Sequence, residues 1–202
     1  MKRIFIISLM NFVIFSATSV FAAEKYALGM SNLALKVDYI NFTGDVFNKI
    51  DMKDTVYLGL EEYIALTPNL YLGVEAGWAG RSKEGTIDNT NFDLDINYVP
   101  VELNLKYAIG VARNWVIDLG AGVSYNYFRI KANNIDESSE DWVVGGQVFA
   151  DVNYKVDNLW FIGINGKYQF TDNLSFDLQG SNINTSTNVN NWRVGAQIGF
   201  MF

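Results

Sequence analysis

The stretch Trp115-Val-Ile-Asp-Leu-Gly-Ala-Gly-Val-Ser-Tyr-Asn-Tyr127 decides the architecture. Its odd positions are Trp115, Ile117, Leu119, Ala121, Val123, Tyr125 and Tyr127, and its even positions are Val116, Asp118, Gly120, Gly122, Ser124 and Asn126. A period of two sends these sets to opposite faces of an extended strand, one apolar and one small or polar. Twelve steps at about 3.3 Å per residue, tilted near 40°, span roughly 30 Å, the thickness of a bilayer's hydrocarbon core. Aromatic residues stand at both ends of that span, where interface anchors belong.

The same alternation recurs outward from this segment. Trp192, Val194, Ala196, Ile198, Phe200 and Phe202 oppose Arg193, Gly195, Gln197, Gly199 and Met201. Trp160, Ile162, Ile164, Tyr168 and Phe170 oppose Gly163, Asn165, Lys167 and Gln169, with Gly166 as a gap in the apolar row. Trp142, Val144, Val148, Val152 and Tyr154 oppose Gly145, Gln147, Asp151 and Asn153, and Val99 to Tyr107 opposes Glu102, Asn104 and Lys106. Leu70 to Trp78 opposes Tyr71, Gly73, Glu75 and Gly77; Val56 to Ile64 opposes Tyr57, Gly59, Glu61 and Tyr63; Leu33 to Tyr39 opposes Lys36 and Asp38. These segments predict an all-β fold of eight antiparallel strands. Two positions break the pattern. Glu62 falls on the apolar face, which requires either a bulge at Glu61-Glu62 or a place near an interface, and Pro100 removes one ladder donor, which requires an irregularity between Tyr98 and Val101.

The connections alternate in length. Short ones are expected at Thr67-Pro68-Asn69, Gly110 to Asn114 and Lys155 to Asn158; long polar ones at Gly44 to Asp54, Gly80 to Asn91, Lys131 to Asp141 and Thr171 to Asn191. Short turns and both chain ends on one side, long loops on the other, make an up-and-down transmembrane barrel. A soluble barrel or sandwich is the competing arrangement, and it would turn the apolar faces inward and leave the charges in water.

The first 22 residues read as a cleaved signal peptide: Lys2 and Arg3, an apolar run from Ile4 to Ile14 broken by Ser8 and Asn11, and small residues at the -3 and -1 positions of Val20-Phe21-Ala22. The barrel domain is then 23–202. The alternative for residues 4–22, a transmembrane anchor, fits the short apolar core and small cleavage residues less well. The chain has no Cys and no His, which excludes disulfides, thiolate zinc sites, Cys nucleophiles and the commonest general base. A formal net charge of -7 with no basic stripe argues against a nucleic-acid partner.

The terminal strand Trp192 to Phe202, closing on an aromatic residue, resembles the signal read by the bacterial outer-membrane assembly machinery. The chain from Ala23 to Phe202 resembles the small eight-stranded outer-membrane barrels of the opacity-like, OmpX-like and OmpA-barrel group, and Tyr98-Val-Pro-Val-Glu-Leu-Asn-Leu-Lys-Tyr107 is similar to a stretch common in that group's barrel-domain family. The resemblance implies a Gram-negative-type outer membrane, both termini periplasmic, contact with outer-membrane lipid and lipopolysaccharide, insertion by the barrel assembly machinery with Phe202 as its signal, and folding without a cofactor. An OmpA-like peptidoglycan-binding domain would follow the barrel, whereas this chain stops at Phe202. The histidine-dependent chemistry of lipid A deacylating and palmitoyl-transferring barrels is excluded here.

Eight strands enclose an interior that side chains fill. Glu61, Glu75, Glu102, Asp118 and Asp151 facing Lys106, Lys167 and Arg193, with Tyr57 and Gln197 between, are expected to form an interior polar network, more readily a structural plug than a proton or ion path. Trp78, Trp115, Trp142, Trp160 and Trp192 are the expected interface aromatics. No catalytic, cofactor-binding or metal residue is expected; the acidic run Asp136, Glu137, Glu140 and Asp141 reads as a solvated loop more readily than as a cation or basic-partner site. Asn173 to Leu178 alternates again, so the seventh strand is expected to project as a hairpin. The function expected is non-enzymatic, structural or adhesive, with a surface ligand met through the long loops; the alternative is a narrow channel for ions or small solutes.

Overall fold

A computed structural model describes residues 26–44, 47, 52–87, 90–132, 137–177 and 184–202. The signal peptide expected at 1–22 lies outside them. The described strands are β1 (Ser31–Phe42), β2 (Asp54–Ala65), β3 (Leu70–Ile87), β4 (Thr90–Ala112), β5 (Trp115–Ala132), β6 (Glu137–Lys155), β7 (Trp160–Thr171), β8 (Asn173–Asp177), β9 (Asn184–Asn188) and β10 (Asn191–Met201). Eight of them close in the order β1-β10-β7-β6-β5-β4-β3-β2, and β8 and β9 form a separate two-stranded sheet. Every barrel pair is antiparallel. Closure removes the edges that an open sheet would leave in lipid.

Alternation settles which face points where. The apolar set faces outward: Leu35 is 60% exposed, Val123 59% and Ile164 64%. The polar set is buried inside, with Lys36, Glu75, Lys106 and Arg193 at 2% exposure or less. This is the inverse of a soluble barrel, and the soluble arrangement is therefore ruled out. The outer band is bounded by aromatic pairs. At the short-turn rim Trp115 packs on Tyr154 at 5.0 Å and Trp160 on Phe200 at 5.1 Å; at the opposite rim Tyr39 meets Trp192 at 5.4 Å and Tyr125 stacks on Trp142 at 4.6 Å. Both described ends lie at the short-turn rim, where Ser31 and Phe202 exchange backbone hydrogen bonds of 2.8 and 2.9 Å.

Both sequence irregularities have structural outcomes. β2 runs through Glu61-Glu62 without a register shift, and Glu62 lies three residues from the strand's end, 7% exposed. The place near an interface, rather than the bulge, accounts for it. At Pro100 the ladder to β3 skips Gly77 and Trp78 and resumes in the same register, while pairing to β5 continues unbroken. The proline's missing N–H thus costs contact on one side only. A bulge does occur in β4, between Gly110 and Ala112.

Three expected loops are corrected. Gly80 to Asn91 is largely strand, with Gly80 paired to Asn97 and Ile87 to Thr90. Lys131 to Asp141 begins and ends in strand, with Ala132 opposite Glu137. Hairpins β3–β4 and β5–β6 therefore run on beyond the aromatic rim as a four-stranded sheet. On β4 and β5 the alternation inverts there: Leu94, Ile96, Tyr98, Phe128 and Ile130 hold the inward parity, buried in or packed against the apolar cluster at that end, while Asp93, Asp95, Asn97, Arg129 and Lys131 hold the outward one. The segment from Asn173 does form a hairpin, but as β8–β9, separated from β7 at Asp172.

Candidate functional site

The interior is built in three layers. In the middle, side chains from four other strands converge on two glutamates. Glu75 of β3 receives Lys167 at 2.6 Å, Arg193 at 3.1 Å, Lys36 at 3.4 Å and the Tyr57 hydroxyl at 2.8 Å. Glu102 of β4 receives Lys167 at 2.5 Å and also pairs with Arg193. A second cluster joins Lys36 to Glu61 at 3.2 Å and Lys106 to Asp118 at 3.4 Å and Glu61 at 4.0 Å. Amides extend the network: Asn153 donates to Asp118 at 3.0 Å, Gln197 to Asn153 at 2.7 Å, and Gln147 to Asn104 at 2.7 Å. The cations also lie over rings, Lys106 at 3.7 Å from the Tyr63 centroid and Arg193 at 4.4 Å from that of Tyr57. A charge buried among such partners is tolerated; one stripped of them is costly.

Apolar clusters lie on either side of this belt. Toward the long-loop end Phe42, Phe47, Tyr98 and Phe128 pack edge to face or stacked, joined by Met52 and Val189. Toward the short-turn end Tyr63, Tyr71, Phe149, Phe161 and Met201 surround Leu28. Leu28 is carried in by Gly29, whose φ of +72° is one that L side chains rarely adopt, and its N–H donates to the Tyr71 hydroxyl at 2.9 Å. Side chains thus fill the bore from rim to rim.

All ten residues expected in the interior network are inside and buried: Tyr57, Glu61, Glu75, Glu102, Lys106, Asp118, Asp151, Lys167, Arg193 and Gln197. Nine of them make the contacts just given, and neither carboxylate oxygen of Asp151 has a hydrogen-bond partner among the described residues. Lys36 and Asp38 belong with them but were not expected in the network, although their parity on β1 marked them as inward. The inward aromatics Phe149 and Phe161 were also missed; their signal is the glycine opposite, Gly120 and Gly199. The five tryptophans are on the outer surface, Trp115 and Trp160 at the short-turn rim and Trp78, Trp142 and Trp192 at the other. Phe202 lies beside Phe200, the ring centroids 5.8 Å apart and the planes tilted. In the acidic run, Asp136 lies outside the described residues, Glu140 accepts from the Tyr127 hydroxyl at 2.6 Å, and Asp141 accepts from the Trp142 N–H at 2.7 Å.

A closed antiparallel eight-stranded barrel with an apolar outer band, aromatic rims and a charged interior defines the class of small outer-membrane barrels. Residues 10–148 match the model of the outer membrane protein beta-barrel domain. The chain belongs to that family, and the outer membrane is its location. Solved structures share the fold at low identity. The Neisserial surface protein A is 13% identical with a TM-score of 0.63, covering 86% of this chain and 98% of its own. The outer membrane protein OprG of Pseudomonas aeruginosa is 12% identical at 0.61, covering 88% and 98%. The attachment invasion locus protein Ail of Yersinia pestis is 12% identical at 0.52, covering 86% and 99%, and has also been solved with the heparin analogue sucrose octasulfate. No curated protein matches the sequence.

Proposed function

We propose that this protein is a non-enzymatic surface barrel that acts through the sheet formed by β3 to β6 beyond the aromatic rim. The observation that carries this reading is the contrast between a filled bore and an extended exterior. Charged and aromatic side chains occupy the interior at every level, which favours a plug over a channel. Outside, four strands continue as ordered, hydrogen-bonded structure past the rim, an investment of sequence that membrane insertion does not require. The long-loop end is then extracellular, both termini are periplasmic, and Phe202 serves as the assembly signal. The Yersinia protein with the same fold, named for attachment and invasion, gives an adhesive role a precedent. A surface ligand is accordingly met at the projecting sheet, with lipopolysaccharide and lipid around the band below it.

The test replaces residues 82–95 by Asn-Gly, closing the hairpin on the Arg81–Ile96 pair, a two-residue turn that suits a twisted ribbon. The shortened barrel is expected to fold and to show the heat-dependent gel mobility of the intact one, while attachment of expressing cells to host cell surfaces falls. Intact attachment, together with discrete conductance steps in a planar bilayer that Glu75→Gln alters, would support the channel instead.

A further inference from the structure

The short-turn end holds a feature that closing a barrel does not require. A cavity of about 740 Å³ opens there between the segment leading into β1, the β4–β5 turn, and the end of β6 with its turn into β7. Its size is that of a small-ligand site. The cavity does not lead into the bore: Met201, which lines it, is buried and belongs to the apolar cluster of Leu28, Tyr63, Tyr71, Phe149 and Phe161 that closes this end. Its walls are tied together. The Lys155 N–H donates to the Asn114 carbonyl at 2.8 Å, which joins the β4–β5 turn to β6, and the Ala27 N–H donates to the Pro68 carbonyl at 3.2 Å, which fixes the segment before β1.

Two cations, Arg113 and Lys155, and one anion, Asp157, line this cavity. Asp157 does not answer the cations: its Oδ1 accepts the N–H groups of Leu159 and Trp160, both at 2.7 Å, and so serves its own turn. Neither cation makes an ion pair among the described residues. Asn114 and Asn158 add side-chain amides, which are neutral donors. The lining thus carries an excess of positive charge and of donors in a chain of formal net charge -7, and the ligand that suits it is an anion rich in acceptor oxygens.

Trp115 and Tyr154, whose rings pack at 5.0 Å on the short-turn rim, also line the cavity. Rim aromatics take the headgroup level of a bilayer, so the cavity opens where lipid phosphates lie, with an aromatic wall beside the glycerol and first methylenes. That wall favours a phosphate carried on a lipid over a free one, and over the stem-peptide carboxylates of a cell wall, which would approach from water along the barrel axis. We propose that this cavity binds the phosphate of a glycerophospholipid, with Arg113 and Lys155 as its charged ligands. The lipid belongs to the periplasmic leaflet, an assignment that rests on the orientation proposed above. A guanidinium can take two phosphate oxygens with its planar fork, and an ammonium a third as a point charge. One lipid held in this way fixes the depth of the short-turn rim in its leaflet.

The test titrates phosphatidylglycerol into the delipidated barrel in neutral dodecyl maltoside micelles and counts bound lipid by native mass spectrometry. Affinity is expected to fall about fivefold in Arg113→Gln or Lys155→Gln and about 25-fold in the double variant, the scale on which basic residues act at a lipid surface. Lys53→Gln, which removes an exposed cation at the long-loop end, should leave it unchanged. An equal loss in Lys53→Gln would reduce the effect to net charge and overturn the site. So would unchanged binding in the double variant, displacement of the lipid by an equal concentration of inorganic phosphate, or co-sedimentation of the wild type with peptidoglycan that the double variant loses. A second measurement needs no variant. Phosphatidylglycerol with a photoreactive headgroup should label the wild type within residues 112–115 or 154–158, and labelling confined to other segments overturns the proposal. A micelle has no sides, so these outcomes are separate from the orientation itself, which protease access to the termini on whole cells decides.

Discussion

Arg193 Nη1 lies 3.1 Å from Glu75 Oε1, joining β10 to β3 across the bore between residues 118 apart in sequence. Neighbouring strands are already held by their ladders; this contact ties opposite walls together. Because Glu75 also receives Lys167, Lys36 and Tyr57, it is the anion on which three buried cations depend.

Removing that anion should be among the most damaging single changes in the interior. Glu75→Ala leaves Arg193, Lys167 and Lys36 short of a counter-charge in a site that water does not reach, and breaking a buried pair from one side costs about 3–5 kcal/mol. Urea unfolding in detergent, followed by gel mobility without boiling, should show the midpoint fall sharply. Arg193→Met combined with Glu75→Met should recover part of the loss, because a matched apolar pair leaves no orphaned charge between those two walls. A double variant as weak as Glu75→Ala would show that the pair is not the source of the cost.

Gly199 and Gly120 are close-approach positions rather than flexible ones. A Cβ on Gly199 would sit 2.1 Å from Phe161 Cζ, and one on Gly120 would sit 2.1 Å from Phe149 Cζ. The tip of each ring occupies the place where a Cβ would stand, filling space that a side chain would otherwise take. Gly199→Ala is expected to cost about 1–3 kcal/mol through overpacking. In Phe161→Leu, which vacates the ring's place, the added cost of Gly199→Ala should shrink; equal costs in both backgrounds would mean the ring is not what the glycine accommodates.

These pairs also show how far the sequence could be read. Alternation assigned every barrel strand's faces, because lipid outside and a polar bore inside select residues with a period of two. It did not find the apolar plugs. Leu28 and Phe47 enter the bore from non-strand segments that have no period, and Phe149 and Phe161 are apolar residues on the inward face, where the simplest rule expects polar ones. Nor does a period disclose which inward charges meet, since Arg193 with Glu75 or Lys167 with Glu102 is a pairing across the barrel, set by the closed geometry of eight tilted strands. On the projecting parts of β4 and β5 the alternation persists with its sense inverted, apolar Leu94, Ile96, Tyr98, Phe128 and Ile130 on the inward parity, so a rule that looks for an apolar outer face passes over it.

The outer band makes a prediction on which membrane and soluble barrels differ. Val123 is 59% exposed near the middle of β5's apolar row. Val123→Arg in lipid vesicles should destabilise the fold by about 2–4 kcal/mol, as for an arginine at the bilayer midplane. Ser82→Arg, on an exposed position of the projecting part of β3, should be close to neutral and serves as the control. Two equally mild effects would argue that the row does not face lipid.

The tryptophans allow a measurement that needs no label. The chain contains 5, and all of them are the outer-surface residues Trp78, Trp115, Trp142, Trp160 and Trp192, so the intrinsic fluorescence of the folded protein reports on the two rims alone. Indole rings prefer the headgroup level, where an apolar body meets lipid and the N–H meets a polar partner, as Trp78 Nε1 does by donating to Asn97 Oδ1 at 3.2 Å. Lipids brominated near the headgroup should quench strongly and those brominated at the chain ends weakly. Replacing Trp115 and Trp160 by Phe removes the short-turn rim from the signal. In vesicles where the protein has inserted with one orientation, a water-soluble quencher that cannot cross the bilayer should then reach either nearly all of the remaining emission or nearly none, since Trp78, Trp142 and Trp192 share one side. Strongest quenching by the chain-end bromines would place the rims at mid-bilayer, and no quenching by any brominated lipid would remove the barrel from the membrane.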